Sequence, residues 1–224
     1  MKVSVITTNF NNAQYLEPAL KCIQEQATEH EVEHIVWDDC STVEYEYERL
    51  VELSARYHAT FYHSRTRLGC GIARNRAIEA FASGNIFVFL DADDYFSHNY
   101  IQAMVDACEG IYSPVYPNVQ MFGERTDFIV KPEWTKKKAT SKPFIPAHAL
   151  VTREHFAKVG GFRKVQFYED FDLWVRMAKA GIIGRHCPEA TLFYNIRKDS
   201  ISDHFNLRGT RKRKLRIKHK VRSQ

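Results

Sequence analysis

Ile86-Phe87-Val88-Phe89-Leu90 is an uninterrupted apolar run of strand length, and no other stretch of the chain constrains the fold as strongly. A strand without polar alternation must be covered on both faces, as in the parallel sheets of α/β domains. The run stops at Asp91-Ala92-Asp93-Asp94, so three acids stand at the carboxyl end of a central strand. Ligands of open α/β sheets bind at such ends.

The rest of the first hundred residues supplies the partners that this strand needs. Val3-Ser4-Val5-Ile6-Thr7-Thr8 is a β-branched run, Asn9-Phe10-Asn11-Asn12 has loop chemistry, and Tyr15, Leu16, Ala19, Leu20 and Ile23 follow at helical spacing. His34-Ile35-Val36-Trp37 enters Asp38-Asp39-Cys40-Ser41, and Tyr47, Leu50, Val51, Leu53 and Ser54 suggest a second helix. Thr60-Phe61-Tyr62-His63 makes a third strand. Gly69-Cys70-Gly71 then opens a helix carrying Ile72, Ala73, Ala77, Ile78, Ala80 and Phe81. Strands alternating with helices predict an α/β, Rossmann-like doubly wound sheet, mostly parallel, with helices on both faces.

Beyond Ile111 the pattern weakens to short β-like pieces near 111–116, 119–123 and 127–130. A polar stretch from Lys131 to Pro146, holding three prolines and Trp134, reads as a mobile loop covering something. A strand near 147–152, helices over 153–159 and 169–180, and strands near 183–187 and 190–196 complete the body.

With 224 residues, 44% of them hydrophobic, the chain has material for one substantial core. The formal charge of +5 conceals an uneven distribution, because residues 208–224 hold nine Lys/Arg and no carboxylate. The expected organisation is one compact domain over 1–205 and a basic tail over 206–224. Five scattered cysteines without a C-x-x-C pair signal neither a disulfide framework nor a zinc site. No apolar run of membrane-spanning length and no signal-peptide pattern occurs, which predicts a cytoplasmic protein with peripheral attachment at the inner membrane face as an option.

Taken alone, the acids after the apolar run suit either a divalent cation with its diphosphate or a turn capping a helix near Asn99. Five segments together are more specific. Val3-Ser4-Val5-Ile6-Thr7-Thr8-Asn9-Phe10-Asn11, Asp38-Asp39-Cys40-Ser41, Gly71-Ile72-Ala73-Arg74-Asn75-Arg76-Ala77, Leu90-Asp91-Ala92-Asp93-Asp94 and Glu169-Asp170-Phe171-Asp172-Leu173-Trp174 resemble, in order and spacing, the motifs of inverting family-2 glycosyltransferases of the GT-A fold.

The resemblance implies a nucleotide-sugar donor, with a UDP-sugar expected, and a divalent cation, Mn²⁺ or Mg²⁺. It places Thr8 and Asp39 along the nucleobase pocket, with Asn9 beside Thr8, and gives Asp91 to the ribose and metal and Asp93 to the metal directly. Asp39 also suits a helix cap. Arg74, at a helix start, is expected to face phosphate or base, or to form a surface ion pair. Asp170 corresponds to the catalytic base, although Glu169 and Asp170 are also acids favoured at a helix N-terminus.

The segment Tyr194 to Ser202 resembles the family's closing segment, but Arg197 stands where a His commonly helps with metal or diphosphate. A guanidinium has no free lone pair for a metal, so diphosphate stabilisation is the role left to Arg197.

Trp134 with Lys136-Lys137-Lys138 could form an aromatic platform for an acceptor sugar. The acceptor is expected to be a cell-surface or lipid-linked glycan, with the basic tail drawn to an anionic membrane surface. Nucleic acid is the alternative partner, through transfer to hydroxymethylated bases in DNA. A sugar nucleotidyltransferase would need a Gly- and Lys/Arg-rich loop after the first strand, which Asn9-Phe10-Asn11-Asn12 is not. A non-catalytic nucleotide- or glycan-binding module would predict degraded acids, whereas Asp39, Asp91, Asp93 and Asp170 are all present.

Overall fold

The structure, a computed structural model, describes residues 1–198; the basic tail of 206–224 lies outside the described residues. The first half runs β1 (Lys2–Asn9), α1 (Ala13–Gln24), β2 (Glu31–Asp38), α2 (Glu46–Arg56), β3 (Thr60–His63), α3 (Cys70–Phe81) and β4 (Ile86–Asp91). There follow β5 (Tyr95–Phe96), α4 (Tyr100–Cys108), β6 (Val115–Gly123), β7 (Phe128–Ile129), α5 (Lys136–Ser141), β8 (Leu150–Thr152), α6 (Arg153–Lys158), α7 (Glu169–Lys179) and β9 (Arg185–Ile196). Among the described residues these strands make one sheet in the order β3-β2-β1-β4-β8-β6-β9-β5, with β7 on β6.

The long ladders are parallel: β1 lies between β2 and β4, and β3 extends β2. Short β8 enters antiparallel between β4 and β6, so the expected doubly wound sheet is mixed in its second half. The predicted strands near 183–187 and 190–196 are one strand, β9. Its register on β6 jumps from Pro117↔Cys187 to Asn118↔Thr191, which leaves residues 188–190 as a bulge. Pro188 has no N–H to give a ladder, so the pairing breaks there without ending the strand.

Side chains of β4 go alternately to two cores, as its uninterrupted apolar run requires. Ile86, Val88 and Leu90 join Leu16 and Leu20 of α1, Leu50 of α2 and Met104 of α4, whereas Phe87 and Phe89 join Ala73 and Ala77 of α3 and Leu173 and Trp174 of α7. Each fully buried side chain of this size contributes roughly 2 kcal/mol. The strand that carries Asp91 is thereby held from both faces.

Gly84 brings the chain into β4 against β1. A Cβ there would lie 2.7 Å from the Lys2 carbonyl oxygen and 2.9 Å from the Ser4 nitrogen, both backbone atoms. Gly84→Ala is expected to destabilise the protein by about 1–3 kcal/mol through overpacking. A urea midpoint unchanged from wild type would show that the backbones can separate at no cost.

Candidate functional site

The parallel half of the sheet sets its carboxyl ends side by side, because Thr8 pairs in register with Asp91 and Asn9 with Asp38. Asp38 is fully buried and fastens this edge. It accepts from Asn9 Nδ2 at 2.8 Å and from the Ser41 nitrogen at 3.1 Å, and its Oδ2 lies 2.7 Å from His63 Nδ1. Glu46 accepts from the Ala13 nitrogen at 2.7 Å and from Asn9 Nδ2 at 3.0 Å, so an acid from α2 caps α1.

Asn9 is itself buried, with its amide nitrogen engaged by Asp38, Ser41 and Glu46. That nitrogen is therefore engaged inside the protein at this strand end. Thr8 Oγ1 meets Cys70 Sγ at 3.1 Å. Asp39 accepts from the backbone nitrogens of Leu68 and Gly69, each at 2.8 Å, and so holds the loop that leads into α3. One lone-pair direction on each of its oxygens is left for another donor. Arg67, from the same loop, lies over the Phe10 ring at 3.7 Å.

Arg74 follows on α3 and is only 1% exposed, which rules out a surface ion pair. Nη2 donates to Asp91 Oδ1 at 2.6 Å, and Nη1 lies 3.5 Å from Glu169 Oε1. Nε and Nη1 have no hydrogen-bond partner. Burial opposes charge on this guanidinium, but the neighbouring Cys70, Asp91, Glu169 and Asp170 hold it protonated. Arg74 thus stands among acids supplied by β4 and α7.

On the other side of Asp91 stands His148, a residue without a role in the sequence reading. It is 2% exposed, and its Nε2 lies 2.9 Å from Asp94 Oδ2 and 3.7 Å from Asp91 Oδ2. Tyr100 Oη donates to the His148 carbonyl at 2.6 Å, and the Asn195 nitrogen donates to Asp94 Oδ1 at 2.8 Å. These bonds tie the acidic turn to α4 and β9. Burial would raise Asp91, but Arg74 and His148 outweigh it and hold the carboxylate below its usual range. Burial pushes Asp94 up to about 7, against the pull of His148.

Asp91, Asp94 and His148 are, among the described residues, a group of three with ligand atoms close enough to share a metal ion. Asp93 is outside that group. Its carboxylate is paired with Arg197, whose guanidinium also lies over the Tyr15 ring at 4.1 Å. Burial and the Asp91 charge raise the pKa of Asp93, and Arg197 offsets only part of this. Arg197, expected to await a diphosphate, is here occupied by the acid expected to hold the metal.

Glu169 and Asp170 open α7, which packs onto the start of α3. A Cβ on Gly71 would lie 3.2 Å from Glu169 Cβ and from Phe162 Cβ, so glycine permits the approach of the two helix ends. Asp170 is half-buried and accepts from the Phe171 nitrogen at 2.7 Å. Burial and adjacent Glu169 push it up to about 7, while Arg74 works in the opposite sense. Glu169, Asp170, Arg74 and Asp91 thus share one electrostatic neighbourhood, although α7 is far in sequence from α3 and β4.

Trp134 is half-buried. Its ring lies over Gly184, where a Cβ would come within 2.4 Å, and it joins the core of Phe89 and Trp174. The segment expected to be a loose cover is docked: Tyr116 Oη donates to the Pro132 carbonyl at 2.8 Å, the Lys131 nitrogen donates to Asn118 Oδ1 at 3.0 Å, and Ala139 of α5 is buried. All five cysteines are free, and no helix among the described residues is long and apolar enough to cross a membrane.

Residues 4–168 match the model of glycosyl transferase family 2. TuaG of Bacillus subtilis (strain 168), named for teichuronic acid biosynthesis as a glycosyltransferase, is 27% identical over 213 residues, covering 89% of this chain and 81% of TuaG. Among solved structures, S. aureus TarS superposes with a TM-score of 0.71 at 18% identity, over 92% of this chain and 38% of TarS. A TarS 1–349 complex with UDP gives 0.69 at 18% identity, over 92% of this chain and 63% of that one. The mannosyltransferase PcManGT from Pyrobaculum calidifontis, in complex with GDP-Man and Mn²⁺, gives 0.68 at 22% identity, over 88% of this chain and 58% of that one. The chain spans less than two thirds of each of these solved structures, and the likeness shows a GT-A-like fold. A family match over most of the chain, on a sheet whose carboxyl ends gather the motif acids, makes this protein a member of glycosyl transferase family 2.

Proposed function

We propose that the protein transfers a sugar from a UDP-sugar to an acceptor hydroxyl of a cell-surface or lipid-linked glycan, with inversion and with a divalent cation. The observation that carries this reading is Arg74 between acids of two elements: its Nη2 bonds Asp91 at the end of β4, and its Nη1 lies 3.5 Å from Glu169, the neighbour of Asp170 at the start of α7.

Thr8 and Asp39 receive the nucleobase, with Asp39 using its remaining acceptor capacity for a ring N–H. Asp93 together with Asp91 would hold Mn²⁺ or Mg²⁺, since hard oxygen donors suit these ions and a bound cation would favour the ionised Asp93 that burial and Asp91 disfavour. When bound, the cation neutralises charge on the departing diphosphate. Arg74 keeps Asp91 ionised and in place.

Asp170 takes the proton from the acceptor hydroxyl as that oxygen bonds to the anomeric carbon and the bond to the diphosphate breaks on the opposite face. One displacement inverts the configuration. The UDP complex of TarS supports the choice of base, and the TuaG resemblance supports a glycan acceptor.

A thermal-shift screen of UDP-, GDP-, CMP- and dTDP-sugars with Mn²⁺ tests the donor. Stabilisation is expected with UDP-sugars and is expected to disappear on chelation. Stabilisation by a GDP-sugar alone would refute the base assignment, and the GDP-Man complex of PcManGT makes that arm the critical one.

A further inference from the structure

Arg197 follows the last residue of β9, and its guanidinium meets three segments at once. It is paired with the Asp93 carboxylate, stacks on Tyr15 at 4.1 Å, and donates to Asn12 Oδ1 at 3.4 Å. Asn12 and Tyr15 belong to the start of α1, so the guanidinium bridges the first helix and the acidic turn. Its Nε is buried without a hydrogen-bond partner. The polypeptide thus brings its own cation to the acid that the proposed function gives to a metal ion.

Two cations cannot use the same carboxylate oxygen equally well, and a guanidinium has no lone pair with which to join a metal's ligand set. Its planar fork suits phosphate as well as carboxylate. A diphosphate arriving at the turn can therefore lift Arg197 from Asp93 without leaving it unpaired, and its unpartnered Nε supplies a further donor.

We propose that Arg197 is a resident counter-ion that closes the cation seat at Asp93 until a nucleoside diphosphate arrives, so that cation uptake is coupled to nucleotide binding. This rests on the function proposed above.

Mn²⁺ binding to the full chain, followed through the electron paramagnetic resonance of free Mn²⁺ with and without UDP, tests the coupling in wild type, Arg197→Gln and Arg197→Lys. Without UDP, Arg197→Gln is expected to bind Mn²⁺ about tenfold more tightly than wild type, the effect of removing one charge-assisted hydrogen bond from Asp93. Arg197→Lys keeps the charge and is expected to stay within a few-fold of wild type, separating charge from packing. Equal affinity of wild type and Arg197→Gln without UDP overturns the proposal. A missing thermal shift of wild type with UDP sinks the nucleotide reading instead, and the nucleotide-free comparison of the two proteins still decides whether Arg197 blocks the cation.

Discussion

Replacing Asp170 by Asn is expected to lower sugar transfer by about 10³-fold while leaving UDP-sugar binding close to wild type, as loss of a general base does. The change is isosteric, and the hydrogen bond from the Phe171 nitrogen at 2.7 Å can be kept by the amide oxygen. The loss therefore reports the proton and not the helix start. The wild-type pH profile carries the same information. Burial and Glu169 set Asp170 at about 7, and the base acts only when deprotonated. Below that pH the active fraction drops about tenfold per unit, whereas an unperturbed Asp would keep its activity down to about pH 4. In Asp170→Asn this limb is expected to vanish. Wild-type turnover in the variant, or a wild-type limb near pH 4, removes Asp170 from the base role.

Asp93→Ala is expected to lower transfer by about 10²-fold or more, because a cation held at a leaving diphosphate contributes several kcal/mol of charge stabilisation. A chelator should reduce the wild type to a similar rate and should reduce Asp93→Ala little further. The competing seat is formed by Asp91, Asp94 and His148. If Asp93→Ala keeps its Mn²⁺ response and His148→Ala loses it, the ion belongs to that seat and the assignment to Asp93 fails. Asp93→Ala also frees Arg197, so its donor affinity is best compared with that of an Arg197→Gln, Asp93→Ala double variant.

Much of the first half of the fold is legible because its determinants are local. Burial of β4 on both faces follows from its five consecutive apolar residues, and the helical spacing of Leu16, Ala19, Leu20 and Ile23 appears as the buried face of α1. The acids at the strand ends are legible for the same reason, since a polar cluster directly after an apolar run can only lie at the sheet's edge.

Relations set by distant pairing were not legible. Glu46 looks like a surface acid at a helix start until its partners Asn9 and Ala13 are known. His148 sits between alanines ahead of an apolar strand, and only the antiparallel entry of β8 beside β4 brings it to Asp91 and Asp94. A signal existed in principle, because a His entering a buried strand must find a polar partner. The packing of Trp134 is not legible because a tryptophan among lysines and prolines looks solvent-facing, while the glycine that receives it lies fifty residues later at Gly184. The closing-segment resemblance and the chemistry of a guanidinium point Arg197 to a diphosphate, whereas its pairing with Asp93 depends on β9 ending beside the acidic turn.

The docking of Trp134 on Gly184 carries a consequence for how such an enzyme diversifies. Because residues 131–146 are moored to the far half of the sheet by this ring and by the Asn118 and Tyr116 bonds, their exposed positions can be rewritten without disturbing β1, β2 and β4. A change in that segment would be felt at Asp170 through α5, which rests on the helix that bears this acid.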